Sequence, residues 1–243
     1  MNTFFKAVRY SFPVLLGYLA IGCAFGFLMA DAGYPWWLTL IMSVIMYAGA
    51  GQYIAVGLFA AGTSLWEAAL VQLVVNARHM AYGLSMMNQL RNAGPLKWYI
   101  IFGLTDETFA LLSALPGESR ALPKEEQPPA ERTRFMFLVT LLDHGYWILG
   151  GVIGSVAGSL LPFSTEGIGY ALTALFIVLM IEQMYRIRRP GVFIVSAISA
   201  VLCVLFLPSR LSLLAAMALS LAFSSILSKM NLSKIKISKK DEA

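Results

Sequence analysis

Several ionisable side chains lie inside long apolar runs of the sequence, and five of them are candidates for an ion pair or for coupling: Arg78, Asp106, Glu107, Asp143 and His144. A charge at the centre of a bilayer costs about 2.5–3.5 kcal/mol on insertion scales, so such a residue indicates function by default. Arg78 and the adjacent carboxylates Asp106 and Glu107 lie at similar depths in consecutive runs, which predicts an ion pair between antiparallel helices. The alternative is a pair that only neutralises buried charge.

The helix predicted around Arg78 also carries a polar face. Gln72, Asn76, His79 and Gly83 follow at steps of four, three and four residues, which keeps them on one side of a helix. A single polar residue would be explained as a hydrogen bond between helices. Three polar residues and a glycine on one helix face instead favour a path for a solute.

A coupled proton has four candidate carriers in these segments. His79 and His144 titrate near neutral pH. A carboxylate such as Glu107 or Asp143 can also hold a proton once burial removes its water. The sequence leaves the choice among the four open.

Glycines interrupt the apolar run that precedes the polar face. Gly49 and Gly51 stand one residue apart, and each costs a helix about 1 kcal/mol relative to alanine. Broken helices in transporters expose backbone groups that bind substrates or ions, whereas an intact, tightly packed helix is the alternative. We predict a break, with these substrate-binding residues: Gly49, Gly51, Gln52, Asn76, His79 and Gln183.

The elements that must position these side chains are membrane helices. The 243-residue chain is 58% hydrophobic and 13% charged, with about half the charge of a soluble domain. Its apolar runs match the roughly 20 residues that cross a bilayer core, and they lack the alternation of barrel strands. The sequence predicts an all-α polytopic membrane protein of about eight transmembrane helices, with seven as the alternative: 11–30, 36–60, 65–88, 96–115, 134–161, 167–185, 191–207 and 211–228.

Charge predicts the orientation of these spans. With eight spans and the N-terminus inside, most basic residues face the cytoplasm, as the positive-inside rule favours, and Arg91, Lys97 and Arg210 fall outside. The chain is then a single transmembrane transporter domain of the cytoplasmic (inner) membrane with both termini cytoplasmic. Residues 116–133 form a cytoplasmic connector, and residues 229–243 form a basic tail against the lipid bilayer. The net charge of +5 therefore needs no nucleic acid partner.

One glycine pattern occurs twice in the chain. GYxxxGxxxG occupies residues 17–26 and again 145–154, and Gln52 and Gln183 follow at similar distances. This favours an internal repeat of four helices, as in many transporters. Small residues at this spacing also occur wherever membrane helices pack closely, so both explanations stand.

Metal, cofactor and hydrolase chemistry have no support in the residue pattern. Cys23 and Cys203 fall in apolar runs and form no CxxC pair. His79 and His144 are the only histidines, so an HExxH site is impossible, and no GxSxG serine motif occurs. The sequence predicts no enzyme, no metal and no cofactor.

Four blocks of sequence follow one another in a fixed order. They are LIMSVIMYAGAGQ at 40–52, VNARHMAYG at 75–83, TDETFA at 105–110, and YALTALF at 170–176, which leads to Gln183. Together they resemble the AzlC family, the large component of branched-chain amino acid exporters, over about residues 10–225. The family's usual second block has Leu where Met80 stands, a change that is conservative in size.

The resemblance implies a permease that exports valine, leucine, isoleucine and, in some members, methionine. It also implies a partner, a small membrane subunit of the AzlD type, and coupling to the proton gradient. From the residues themselves we expect alternating access around Gly49 and Gly51, with Arg78 and a carboxylate joining two helices or forming a gate. The alternatives are an ion channel, whose flux would not saturate, and a membrane-embedded sensor, which would carry a soluble output domain.

Overall fold

The computed structural model describes residues 2–115, 129–160 and 190–207, with isolated positions between 170 and 185 and between 212 and 223. The chain divides into two compact units, residues 1–175 and 176–243. Every regular element in these described parts is a helix. In the first unit these are α1 Thr3–Asp31, α2 Trp36–Ile45, α3 Gly49–Ala60, α4 Leu65–Met86, α5 Leu96–Phe102, α6 Asp106–Ser113 and α7 Pro129–Leu160; in the second, α8 Pro190–Phe206.

Length separates these helices into two kinds. By length and composition, α1 and α7 can each cross a membrane, and the 22 residues of α4 make about 33 Å of helix. The 10 residues of α2 and 12 of α3 make only about 15 and 18 Å, roughly half of a bilayer core. The helices α4 and α8 match the predicted spans 65–88 and 191–207, whereas the predicted spans 167–185 and 211–228 lie largely outside the described residues.

The helices α1 and α7 run parallel and touch through their glycines. Thr3 donates a hydrogen bond to Glu131, 128 residues later, and the same separation joins Gly22 to Gly150, whose Cα lies 3.2 Å from a Cβ built on Gly22. A Cβ on Gly26 would collide with backbone atoms of 151 and 155. The two GYxxxGxxxG copies therefore form one helix–helix contact. The four-helix repeat itself stays a prediction.

Helices α2 and α3 form a hairpin that turns back halfway along α1 and α7. We call the side where α1 begins the N side and the side where it ends the C side. On the C side, Thr39 of α2 donates to Ser155, 3.2 Å away. Deeper, the carbonyl oxygen of Ser43 meets His144 at 3.0 Å. The chain then returns to the C side. The evidence is that the ring of Phe59 in α3 lies 6.2 Å from the ring of Tyr34, just beyond the end of α1.

Helices α5 and α6 form a second hairpin that enters from the N side. Ile100 of α5 packs in one cluster with Ala7, near the start of α1. The turn reaches Thr105, whose hydroxyl lies 2.5 Å from that of Tyr18. The chain then returns to the N side, where Tyr10 donates to the carbonyl of Leu111 at 2.9 Å.

The predicted spans 36–60 and 96–115 are therefore wrong as single crossings, because each is a hairpin of two short helices. Among the described helices of the first unit, only α1, α4 and α7 run from one side to the other. The correction moves the loop 87–95 to the N side, where Arg132 donates to Gln89 at 3.2 Å. Arg91 and Lys97, predicted to lie outside, thus share a side with Lys6 and Arg9, a distribution that fits the positive-inside rule better than eight continuous spans do.

Side-specific labelling tests this arrangement. In a chain carrying Cys23→Ala and Cys203→Ala, we expect single Asn2→Cys and Asn92→Cys variants to react with an impermeant maleimide from one side of the membrane. Ala61→Cys should react only from the other side, because α3 returns to the C side before α4 begins. Labelling of Asn92→Cys and Asn2→Cys from opposite sides would restore continuous spans.

Candidate functional site

The tips of the two hairpins meet between α1 and α7. The first tip is the break Met46–Ala48 between α2 and α3, and the second is Gly103–Thr105 between α5 and α6. The ring of Tyr47 lies 6.4 Å from that of Phe102, so aromatic side chains join the tips. The break predicted near Gly49 and Gly51 is confirmed, although it ends just before Gly49, which begins α3.

His144 of α7 holds both hairpins. Its Nε2 lies 3.0 Å from the carbonyl oxygen of Ser43 in α2, and its Nδ1 lies 2.9 Å from the hydroxyl of Tyr99 in α5. Because a carbonyl can only accept, Nε2 must carry a hydrogen, and in the neutral ring Nδ1 then accepts from Tyr99. The ring of Tyr47 stacks on His144 at 4.4 Å, so one side chain ties together the elements that build the site.

Gln52, predicted to bind substrate, is occupied by the protein itself. Its side chain is fully buried; its oxygen accepts from the indole of Trp147 at 2.6 Å, and its nitrogen donates to the Ser43 hydroxyl at 3.4 Å. These bonds cross from one arm of the hairpin to the other and to α7. In this arrangement Gln52 closes the first hairpin.

The first turn of α3 is packed against the polar face of α4. Gln72 donates to the carbonyl of Gly51 at 2.8 Å, and Asn76 donates to Gln72 at 2.9 Å. A Cβ on Gly51 would lie 2.7–2.8 Å from these two amide groups, and one on Gly49 would lie 2.9 Å from the Trp147 ring. The amide oxygen of Asn76 is buried with no hydrogen-bond partner among the described residues.

The ion pair predicted between the third and fourth runs is present. Arg78 of α4 meets Asp106 of α6 at 2.7 Å, and Tyr82 also donates to Asp106. Glu107, the alternative partner, instead accepts from Tyr18 of α1 at 2.7 Å. The pair therefore links the second hairpin to α4, and Glu107 links it to α1.

Hydroxyl groups connect Glu107 to Asp143. Beyond Tyr18, the hydroxyl of Thr105 lies 2.5 Å from the phenol oxygen, Thr105 donates to Thr108 at 3.0 Å, and Thr108 donates to Asp143 at 2.8 Å. All but Glu107 are buried. The second oxygen of Asp143 is buried and lacks a partner within the described residues.

The helix ends at the two tips differ in charge. The N-terminus of α3 follows Ala48 with no side-chain cap, so its first backbone N–H groups and the positive end of its dipole face the tip. The N-terminus of α6 is capped by Thr105 and carries Asp106 and Glu107 in its first turn. The α3 end is therefore the one suited to an anionic group.

Of the predicted substrate-binding residues that the structure describes, His79 is not brought to the tips. His79 lies beside Tyr82, with ring centroids 6.0 Å apart, and no hydrogen bond joins it to the described residues at the tips. Gln183 lies outside the described residues. Within the described part of the chain no three His, Cys, Asp or Glu side chains converge as a metal site would require.

Sequence reasoning missed the neutral members of the site, which are Tyr18, Tyr47, Thr105 and Thr108. A signal for the second break was present, since Thr105-Asp106-Glu107 is the N-cap and acidic first turn of a new helix. Because these residues lie inside an apolar run, the two carboxylates were interpreted only as buried charges and not as the start of a helix. Tyr47 and Tyr18 carry no comparable signal, because aromatic residues are common in membrane helices.

Comparison with known proteins places the chain in a defined group. The sequence profile described as AzlC protein matches residues 13–161. A membrane protein of Helicobacter pylori, named uncharacterized, is 39% identical over 90% of this chain and 94% of its own. The branched-chain amino acid transport protein AzlC of Bacillus subtilis is 36% identical over 76% of this chain and 70% of its own. The inner membrane protein YgaZ of Escherichia coli is 31% identical over 76% of this chain and 74% of its own length. No solved structure matches the chain.

Removing one partner of the ion pair should destabilise the fold more than removing both. Arg78→Met leaves Asp106 unpaired and Asp106→Asn leaves Arg78 unpaired, each in a partly buried position, which we expect to cost about 1–3 kcal/mol. The double variant should recover much of the loss, because no unpaired charge remains. Thermal unfolding of the purified protein measures this, with Arg91→Met on the exposed loop as the control. Additive losses in the double variant would show that the pair does not couple α4 to α6.

Proposed function

The chain belongs to the AzlC protein family, and from that premise we propose that it is a permease that exports the branched-chain amino acids valine, leucine and isoleucine, with the unbranched methionine as a further candidate substrate. We further propose that it acts as the large subunit of a two-component exporter with a small membrane subunit of the AzlD type, in the cytoplasmic membrane, coupled to the proton gradient. Its named relatives are a transport protein and membrane proteins, which supports a permease over an enzyme.

One observation carries the proposal: two half-length hairpins enter from opposite sides and meet between α1 and α7. Transporters place substrate at helix breaks, where backbone groups freed from the helix can bind charged ends. The substrate carboxylate would meet the uncapped N-terminus of α3 at Gly49–Gly51. The ammonium group would meet the carbonyl ends of α2 and α5, which carry the negative ends of their dipoles.

The apolar side chain of the amino acid would pack on the aromatic rings at the tips. Tyr47 and Phe102 come from opposite hairpins, and a branched aliphatic group in contact with both would hold them in one relative position. Discrimination among valine, leucine and isoleucine would then be modest, because one methylene in an apolar pocket is worth about 1–3 kcal/mol.

Orientation follows from the basic side chains on the N side. Lys6, Arg9, Arg91, Lys97 and Arg132 all lie there, and the positive-inside rule favours a cytoplasmic location for such loops. We therefore propose a cytoplasmic N-terminus. The substrate would enter past the α5–α6 hairpin and leave past the α2–α3 hairpin.

An ion channel is the second candidate, and the same hairpins favour it. Short helices whose ends meet at half depth also set the electrostatic barrier of selective pores. The two candidates differ in kinetics, because a carrier saturates with substrate and a channel does not over the same range.

Efflux of radiolabelled leucine from preloaded cells tests the proposal. We expect faster, saturable efflux when this chain is produced together with an AzlD-type subunit than with either alone. No change in any combination would remove the branched-chain assignment, and flux that rises without saturation would favour the channel.

Gly51→Ala should impair transport selectively. The new methyl group would press on the amide groups of Gln72 and Asn76 and shift the first turn of α3, which we expect to cost about 1–2 kcal/mol of substrate contact, or about tenfold in transport. Gly57→Ala on the same helix is the matched control, since a Cβ there meets nothing within 4 Å. Equal rates for the two variants would show that the turn at Gly51 does not hold substrate.

A further inference from the structure

Two carboxyl groups on different helices are joined by an unbroken line of hydroxyl groups. Glu107 of α6 and Asp143 of α7 stand at its ends, and Tyr18, Thr105 and Thr108 lie between them. The four contacts span 2.5–3.0 Å, all within the range of O–H···O hydrogen bonds. We call these five residues the hydroxyl chain.

The number of protons in the hydroxyl chain decides what it can do. Each of its four contacts needs one hydrogen, but its three hydroxyl groups supply only three. If both carboxylates are ionised, Tyr18 donates to Glu107 and Thr108 donates to Asp143. Thr105 then has one hydrogen for two contacts, with Tyr18 at 2.5 Å and with Thr108 at 3.0 Å, so one of these two contacts is left with two buried oxygens opposed.

One added proton completes the hydroxyl chain in either of two ways. A proton on Glu107 lets that carboxyl donate to Tyr18, so that every hydroxyl donates towards an ionised Asp143. A proton on Asp143 lets that carboxyl donate to Thr108, so that every hydroxyl donates towards an ionised Glu107. Moving the proton between the ends requires each hydroxyl to pass its own hydrogen to the next oxygen and to receive one, with no change in total charge.

We propose that Glu107 and Asp143 share a single proton through Tyr18, Thr105 and Thr108, and that this is the proton that couples transport to the gradient. The coupling role rests on the proposed function, whereas the sharing of the proton does not. Glu107 is partly exposed and exchanges the proton with the outside of the protein. Asp143 is fully buried and delivers it between α7 and the two tips.

The surrounding charges allow this sharing. Glu107 faces Asp106 on its own turn and Arg78 of α4, and those two neutralise each other as an ion pair. Asp143 faces Glu107 through Thr108, and Tyr47 of the first tip lies near both carboxyls. The hydroxyl chain with one proton therefore carries one negative charge, and no unpaired cation of the described residues faces it.

The histidines are less suited to the role. His144 is bonded at both nitrogens in the neutral form, to Ser43 and Tyr99, and a second ring proton would face Tyr99, which would then have to turn its own hydrogen away. His79 lies away from the hydroxyl chain, beside Tyr82.

Infrared spectroscopy of the purified protein at neutral pH tests the shared proton without any substrate or partner. We expect the wild type to show the carbonyl stretch of one protonated carboxyl group that is lost in Glu107→Gln and equally lost in Asp143→Asn. In each variant the new amide N–H completes the chain, so that the remaining carboxyl ionises. Loss of the band in only one variant would mean a proton fixed on one residue, and a wild type without the band would have no such proton; either result overturns the sharing.

Leucine transport in vesicles that contain the chain and its small subunit then tests the coupling. Thr108→Val keeps the shape of the side chain but interrupts the hydroxyl chain, so we expect the ratio of leucine transport with a pH gradient to leucine exchange without one to fall to about one. Thr140→Val is the matched control, because the Thr140 hydroxyl is also fully buried on α7 but donates only to its own helix at Met136. Full stimulation in Thr108→Val would overturn the coupling role. Absence of leucine exchange in the wild type would instead reject the proposed substrate while the infrared result stood.

Discussion

The backbones of α1 and α7 touch through glycines, and the positions of the hairpins depend on that contact. Gly22 and Gly26 face Gly150 and Gly154 so closely that a single added methyl group would meet backbone atoms of the other helix. Membrane helices gain little from apolar burial against each other, because lipid is as apolar as they are, so close packing of small residues supplies the association. The two helices thus form a closely packed pair, and the short helices lie against it.

The second constraint is that backbone polar groups inside a membrane must find partners in the protein. The two helix breaks leave backbone N–H and C=O groups free at half depth, and buried polar side chains of the site form hydrogen bonds with several of these groups. His144 binds the carbonyl of Ser43 at the end of α2, and Thr105 caps α6. Among the described residues, the groups near the tips without a partner include the uncapped end of α3, the hydroxyl of Tyr47, the amide oxygen of Asn76 and the second oxygen of Asp143. They lie at the meeting point of the tips, where a polar solute would complete the pairing.

The sequence predicted the all-helical class of the fold and the Arg78–Asp106 ion pair, but not the path of the chain. Hydropathy reports how apolar a segment is and not whether it returns, so 36–60 and 96–115 were taken as single crossings. Gly49 and Gly51 revealed the first break because glycine weakens a helix wherever it stands. The second break was hidden, since Thr105 and Asp106 carry a capping signal that buried charge can also explain. The Arg78–Asp106 pair was predicted despite the wrong path, because in either path the two residues reach the same depth on adjacent helices. The roles of Tyr18 and Tyr47 depend on contacts between distant segments, which composition and spacing do not contain.

Half-length hairpins also constrain how the protein is made. The helices α2 and α3 are too short to leave the translocation machinery as independent spans, and α2 packs mainly against α7, which is synthesised about a hundred residues later. The first hairpin therefore completes its contacts only after α7 has entered the bilayer. Assembly of the site is then a late folding step inside the membrane. A chain whose synthesis stops before residue 129 would have α1 and α4 across the membrane but no assembled site.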